Sequence, residues 1–271
     1  MNHIDPICPF DSSQYTGIPD SSVCENSLNI PEIIKELDGL FNKGLEIEAG
    51  KFLEEKRAQA EKLSDWRGEL SLLSELMGYH RRSLNKERGI FAVKKGLELI
   101  KEHNLGRTVS GATIILNAAT SLKCFGEAES SIPLFVHVCR VFSENLSPED
   151  YRFAGLYNNM ALSYEDIHDY EKAEEYFKMA LSVLIKIGGN ENELADTCCS
   201  LAELYDKQDP EDERIEKCME KAWEYLNSPE LEFNGYHAFS LTKCIPAFDY
   251  FGYFLWAGEL RERVEKIYAG N

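Results

Sequence analysis

The sequence predicts an all-α fold: an α-solenoid with a right-handed superhelical twist, about six antiparallel helix pairs and no β-sheet. Three observations predict it. Apolar segments recur at a spacing of about 40 residues, proline-based helix-start signals recur with them, and no segment alternates apolar and polar residues between hairpin turns. The register is clearest at Glu75 within 72–77, Asn117 within 114–119, Asn159 within 155–164 and Ser200 within 197–205, successive positions 42, 42 and 41 residues apart. A period in this range marks stacked units that bury their apolar faces on their neighbours, so no single central core is needed.

Taken in chain order, residues 1–29 combine Asp, Ser, Pro and Gly with scattered apolar residues and no sustained period. They are expected to form an irregular or flexible arm. From Pro31 the pattern is helical, and the pairs are expected at 31–63, 66–103, 108–146, 150–188, 191–227 and 231–269. Four starts share one signal: Ile30-Pro31-Glu32, Ser147-Pro148-Glu149-Asp150, Asp209-Pro210-Glu211-Asp212 and Ser228-Pro229-Glu230. Proline at the first helical position loses no needed donor, a preceding Ser or Asp accepts from orphan amides, and the acids suit the positive helix end. Stops are expected at Asn104-Leu105-Gly106 and Gly188-Gly189-Asn190, where glycine can turn left-handed. The β-branched run at Thr113-Ile114-Ile115 continues into Asn117-Ala118-Ala119 with no turn signal, so it is read as helix. The domain plan is an arm at 1–29, repeats at 30–227 and capping helices at 228–271. In that last stretch Pro246 is expected to kink its helix, and the aromatic cluster at 248–254 is expected to pack within the cap.

Composition excludes several function classes. The 271 residues carry 47 acidic and 29 basic side chains, a formal charge of −18. Nucleic acids and anionic lipids attract clustered Lys and Arg, so neither is an expected partner. No apolar run approaches the roughly 18 residues that span a bilayer. The first residues lack a signal-peptide pattern, which makes the cytoplasm the expected compartment. Eight cysteines (8, 24, 124, 139, 198, 199, 218 and 244) contain no Cys-x-x-Cys pair. All eight are expected to be reduced and most of them buried, with no metal and no cofactor. His237 and Cys244 share a helix face two turns apart, but no third ligand lies near them in the sequence. No phosphate loop, nucleophile elbow or paired-carboxylate constellation is present, so no catalytic residue is assigned and the chain is expected not to be an enzyme.

Residues 154–187 carry Tyr157, Met160-Ala161, Tyr164, Ala173, Phe177 and Ala180 at the spacing of a helix pair whose small residues admit close approach and whose aromatics fill the space around them. This stretch resembles the tetratricopeptide repeat. The next, 195–227, keeps Leu201-Ala202, Tyr205 and Ala222 but has Ile215 in an alanine place, and an earlier unit has Gly89 and Gly96 there. The period exceeds the usual length of about 34 residues, which resembles the kinesin-light-chain type with longer helices.

The resemblance implies a groove lined by the first helix of each pair, with Asn117 and Asn159 at the place where the family's asparagine reads a bound peptide backbone. An amide offers donor and acceptor together, matching a peptide unit. Bonding within the array is the competing use of both side chains. In the same register, Arg81, Arg82, Lys123, Asn158, Leu162, Glu165, Ser200 and Glu203 line the groove, basic at the Arg81–Arg82 end and acidic at Glu165 and Glu203. The function implied is a non-enzymatic protein- or peptide-binding scaffold, with a regulator that senses a small signalling peptide as the alternative. The arm and the aromatic cap are the two surfaces expected for self-association.

Overall fold

A computed structural model describes residues 27–270, and the expectations for the arm, Cys8 and Cys24 therefore lie largely outside the described residues. The chain divides between Leu146 and Ser147 into two compact units. The N-terminal unit contains α1 (Ile30–Asn42), α2 (Glu46–Lys62), α3 (Trp66–Arg82), α4 (Lys86–Glu102), a 3-10 turn (Leu105–Arg107), α5 (Val109–Cys124) and α6 (Ala128–Asn145). The C-terminal unit contains α7 (Arg152–Asp166), α8 (Tyr170–Ile187), α9 (Glu191–Gln208), α10 (Arg214–Leu226), α11 (Gly235–Tyr250) and α12 (Phe254–Tyr268). Among the described residues there is no strand, and consecutive helices pair as the period requires.

One turn design joins most neighbours. Gly44, Ser64, Leu84, Gly126, His168 and Gly252 each sit in the middle of a three-residue connection with φ between 53° and 85°. The next residue in each case donates its N–H to a carbonyl five positions back: Leu45 to Leu40, Asp65 to Ala60, Asn85 to His80, Glu127 to Leu122, Asp169 to Tyr164 and Tyr253 to Phe248, at 2.8–3.0 Å. This left-handed cap satisfies orphan carbonyls at the end of one helix. At Asp65, Asn85 and Asp169 the same residue then caps the next helix, its side chain accepting from Gly68, Arg88 and Lys172 at 3.0, 3.2 and 3.3 Å. A single residue thus closes one helix and opens the next.

Two expected signals work differently. Only Pro31 lies in the first turn of a helix, under the Asn29 cap. Pro148, Pro210 and Pro229 instead sit inside β-turns closed by Asp150 N–H to Ser147 O, Asp212 N–H to Asp209 O and Leu231 N–H to Ser228 O, at 2.9, 3.0 and 3.2 Å. The preceding Ser147, Asp209 and Ser228 side chains accept from the amide two residues on, which stabilises the turn and not the helix. Real starts follow at Arg152 and Arg214, each amide donating to the carboxylate two residues earlier, Asp150 or Asp212, while the guanidinium grips both oxygens of that carboxylate. The run Pro-Glu-Asp-x-Arg at 148–152 and 210–214 is therefore a repeated start device that sequence reading did not isolate. At the stop after α4, Asn104 and not Gly106 is left-handed, with φ 54°. Helix α11 runs through Pro246 without a break.

Close packing follows a column of small residues on the second helices. Ala49, Gly89, Ser131 and Ala173 are all buried. A β-carbon at Gly89 would lie 2.3 Å from the Phe125 ring, and one at Gly96 would lie 2.7 Å from the Met77 methyl. The glycines in alanine places are thus required by the large residues facing them. The repeat-motif residues Ala161, Tyr164, Ala173, Phe177 and Ala180 are buried as expected. The six described cysteines are free; Cys198, Cys199 and Cys244 are buried, Cys139 and Cys218 half-buried and Cys124 exposed, so burial reaches three of the six and not most of them.

Leu84 holds the left-handed place with its side chain 80% exposed. Its β-carbon strains the backbone there with little packing in return. Leu84→Gly is expected to raise stability by about 0.5–1 kcal/mol, and Gly126→Ala, at φ 79°, to lower it by about 1 kcal/mol. Urea midpoints at unchanged slope are the measurement that checks both.

Candidate functional site

The expected groove residues fall in both units. In the N-terminal one, Asn117 is 3% exposed and its amide donates to Ser74 Oγ on α3 at 3.0 Å. Arg81 is buried, whereas Arg82 is exposed with its guanidinium 4.8 Å from the Phe41 ring centre. Lys123 is half-buried in the last turn of α5. In the C-terminal unit, Asn159 is also 3% exposed, and its amide donates to the Gly155 carbonyl one turn back at 2.8 Å. Both asparagines therefore spend their amides inside the array. The small residues Ala118 and Ala161 beside them let the helices close until little of either amide reaches solvent. The open positions are their neighbours.

Those neighbours form a polar ladder across the first helices of the C-terminal unit. Between α7 and α9, Asn158 Nδ2 donates to Thr197 Oγ1 at 3.0 Å, Thr197 returns a bond to Asn158 Oδ1 at 3.2 Å, and the Lys207 ammonium donates to Glu165 Oε1. Between α9 and α11, the Tyr236 hydroxyl donates to Glu193, Lys243 Nζ lies 3.4 Å from Asp196 Oδ2, and the Tyr250 hydroxyl donates to Asp206 Oδ2 at 2.9 Å. Ser200 lies on this face half-buried, its hydroxyl bonded to its own helix at Asp196 O. The α11 members were read from sequence only as part of a cap. The available signal was the spacing of partners, 42 residues for Glu165 and Lys207 and 43–47 for the α9–α11 rungs.

Charge interactions run across the face. Glu203 is exposed to solvent, yet surrounding protein desolvates it enough to raise its carboxyl above the usual range, helped by Glu165, Asp196 and Asp206 and opposed by Lys207. Burial is the largest influence on Lys207 and works against its charge, but the bond to Glu165 and the charges of Glu165 and Glu203 together outweigh it and raise the pKa. Tyr236 and Tyr151 are held protonated, chiefly by desolvation and then by the Glu193 charge.

The aromatic cluster at the end of the unit divides in two. Trp256 stacks between Trp223 and Tyr253 at 4.7 and 4.8 Å, with the fully buried Phe248 edge-on to them. Tyr250 and Phe254 remain 69% and 68% exposed. The first set packs the cap; the second leaves surface.

His237 and Cys244 have separate partners. His237 Nδ1 lies 2.8 Å from Asn192 Oδ1, while Cys244 hydrogen-bonds the Cys199 thiol. Burial pushes the Cys198 and Cys218 thiols up to about 12 and about 11, so neither is an activated nucleophile. Among the described residues no group of three or more His, Cys, Asp or Glu side chains could hold a metal ion, and no helix is long and apolar enough to cross a membrane.

Solved structures share this architecture at low identity. BtubC (BKLC) from P. vanneervenii superposes with a TM-score of 0.52 at 17% identity over 90% of this chain and 92% of its own. A P. anserina protein named for kinesin light chain, with nearly identical TPR-like repeats, gives 0.53 at 17% over 74% and 95%. A Rap protein complexed with Competence and Sporulation Factor gives 0.56 at 15% over 98% and 81%. The fold is that of a tetratricopeptide-like repeat array. The P. anserina protein named for kinesin light chain is among the solved structures that share it. No family model and no curated protein sequence matches the chain.

His237 gives this array a pH-sensitive element. It is fully buried, and desolvation followed by Arg263 lowers its pKa from 6.5 to about 4. The unfolded chain therefore binds the proton more readily than the folded one. The stability contributed by the neutral ring is complete above about 6.5 and is lost as pH falls toward about 4, where the slope ends. Unfolding midpoints of wild type and His237→Gln across that window are expected to converge on acidification.

Proposed function

We propose that this chain is a non-enzymatic scaffold that binds another protein or an extended peptide along the face formed by α7, α9 and α11. The observation that carries the reading is the ladder itself. Three successive first helices present Asn158, Ser200, Glu203, Tyr236 and Tyr250 on one surface, with Glu165 buried behind it, held in place by bonds between the helices. Stacked repeats of this kind build extended binding surfaces and supply no catalytic constellation. Asn159 lies beneath this face with its amide bonded to its own helix, and Asn117, in the N-terminal unit, has its amide bonded to Ser74. In the N-terminal unit, Arg82 and Lys123 are the groove residues that retain access to solvent.

Regulation by a small signalling peptide is the narrower version of the same reading. It draws support from the Rap neighbour, which was solved with Competence and Sporulation Factor bound. Neither version involves nucleic acid, a membrane or a cofactor, and the cytoplasm suits both. Self-association would use the exposed aromatics Tyr250 and Phe254 of the cap.

The test is competition between two surfaces. Ser200→Arg places a long side chain in the middle of the face without removing a helix-to-helix bond. Lys217→Ala alters the exposed side of α10. On arrays of short peptides, Ser200→Arg is expected to weaken binding by at least about tenfold, with Lys217→Ala unchanged. Equal binding by all three proteins would place the surface elsewhere, and turnover of any bound peptide would overturn the non-enzymatic reading.

A further inference from the structure

A cavity of about 280 Å³ opens to solvent between α8, α9 and α10. That volume is at the lower end of the roughly 300–1,000 Å³ usual for small-molecule sites. Helix α9 serves two surfaces. It turns Asp196, Ser200 and Lys207 toward the ladder and Cys198, Leu201 and Tyr205 toward the cavity, roughly half a turn around its axis. Leu201, Leu181 from α8 and the thiols of Cys198 and Cys218 make the wall apolar, since reduced cysteine acts as a small hydrophobe. Burial is graded along it: Cys198, Leu201 and Tyr205 are buried, Cys218 and Tyr225 half-buried, and Lys217 and Lys221 exposed. The apolar part is therefore inside and the cations stand at the mouth.

Charge at this mouth is the reverse of the chain's. Arg214, Lys217 and Lys221 line the cavity and, among the described residues, no Asp or Glu does, although the chain carries 47 acidic and 29 basic side chains. Arg214 is already committed, because Asp212 and Glu174 hold its guanidinium 3.8 Å from the Tyr205 ring centre. The two lysines are held more loosely. Lys217 is 3.6 Å from Glu213 with its side chain 67% exposed, and Lys221 pairs with Glu224 at 58% exposure. Exposed pairs within one helix contribute little, so another carboxylate can take their place. Four residues apart, the two ammonium groups are neighbours on the helix surface.

We propose that this cavity binds a short aliphatic carboxylate as a free small molecule. The chain lies against Leu181, Leu201 and the two thiols, and the carboxylate sits at the mouth between Lys217 and Lys221. Each half of such a ligand meets its own kind. Removing the chain from water supplies affinity, and the charge-assisted bonds at the mouth fix its direction. An alkylamine places like charge beside the lysines, and an alcohol leaves them unmatched, so the site discriminates by charge. The small volume, enclosed by three helices, suits a small molecule, whereas an extended peptide needs the longer face on the other side of α9.

Binding to the full chain is measured by titration calorimetry with octanoate, octanol and octylamine. Octanoate is expected to bind about tenfold more tightly than octanol, with octylamine weakest. The double variant Lys217→Gln with Lys221→Gln changes two exposed positions. It is expected to bring octanoate down to the level of the alcohol and to leave the melting temperature unchanged. Cys218 locates the site: bound octanoate is expected to slow its labelling by N-ethylmaleimide several-fold, with the exposed Cys124 unaffected. Failure of octanoate to bind, binding that leaves Cys218 labelling unchanged, or a preference for octanoate that survives in the double variant overturns the proposal. Tighter binding of a tripeptide ending in leucine also overturns it, because the occupant is then a chain terminus. Peptide arrays report on the opposite side of α9 and are expected to be indifferent to octanoate; displacement of peptide by octanoate puts the acid on the ladder face and overturns the assignment to the cavity.

Discussion

The left-handed residue between helices is the constraint on which the rest of the structure depends. A helix end leaves carbonyls unsatisfied, and a three-residue connection has space for one solution: a residue at positive φ whose successor donates back five positions. Gly126 and His168 sit 42 residues apart in this role, Leu84 lies 42 before the first and Gly252 84 beyond the second. The position between them, 210, is Pro210, whose ring fixes φ near −65° and forbids the conformation. There the chain uses an Asp-Pro-Glu-Asp turn and an arginine clasp instead, and the α9–α10 connection lengthens accordingly. The repeat period is thus a property of the turns as much as of the helices.

Tight turns force each second helix onto its first, and the column of Ala, Gly and Ser residues lets the backbones meet. Gly89 under Phe125 and Gly96 under Met77 show the cost of that approach, since neither site has space for a methyl group. Close approach also decides which polar side chains stay available. Asn117 and Asn159 lie deep enough to be consumed by Ser74 and the Gly155 carbonyl, while Asn158, one position away from the second, keeps access to solvent. Burial of hydrogen-bonded amides of this kind fixes register between helices more than it adds stability.

Charge is distributed unevenly over this acidic chain. Many cations are already engaged: Arg57 contacts Glu54, Glu61 and the buried Glu69, Arg88 contacts Glu54, and Arg214 contacts Asp212 and Glu174. Exposed pairs such as Lys86–Glu127 contribute little to stability in water. Glu203 on α9 is different, because surrounding protein and neighbouring carboxylates raise its proton affinity above the usual range.

The sequence by itself determined the helices, their pairing and their period, because apolar spacing, turn residues and small-residue places are local signals that tertiary packing only reinforces. Alanine at 161, 173 and 180 and the aromatics at 164 and 177 could be read as packing without any coordinates. Which side chains face outward was decided by tertiary structure alone. A rotation of about 100° about a helix axis exchanges Asn159 for Asn158, and the sequence records both with equal weight. The same holds for the proline turns, where a Pro-Glu pair fits a first helical turn and a β-turn equally well until the following arginine closes on its aspartate. The ladder from α7 through α9 to α11 is likewise invisible residue by residue, because each rung joins side chains about one repeat apart in sequence that only stacking brings within hydrogen-bond reach.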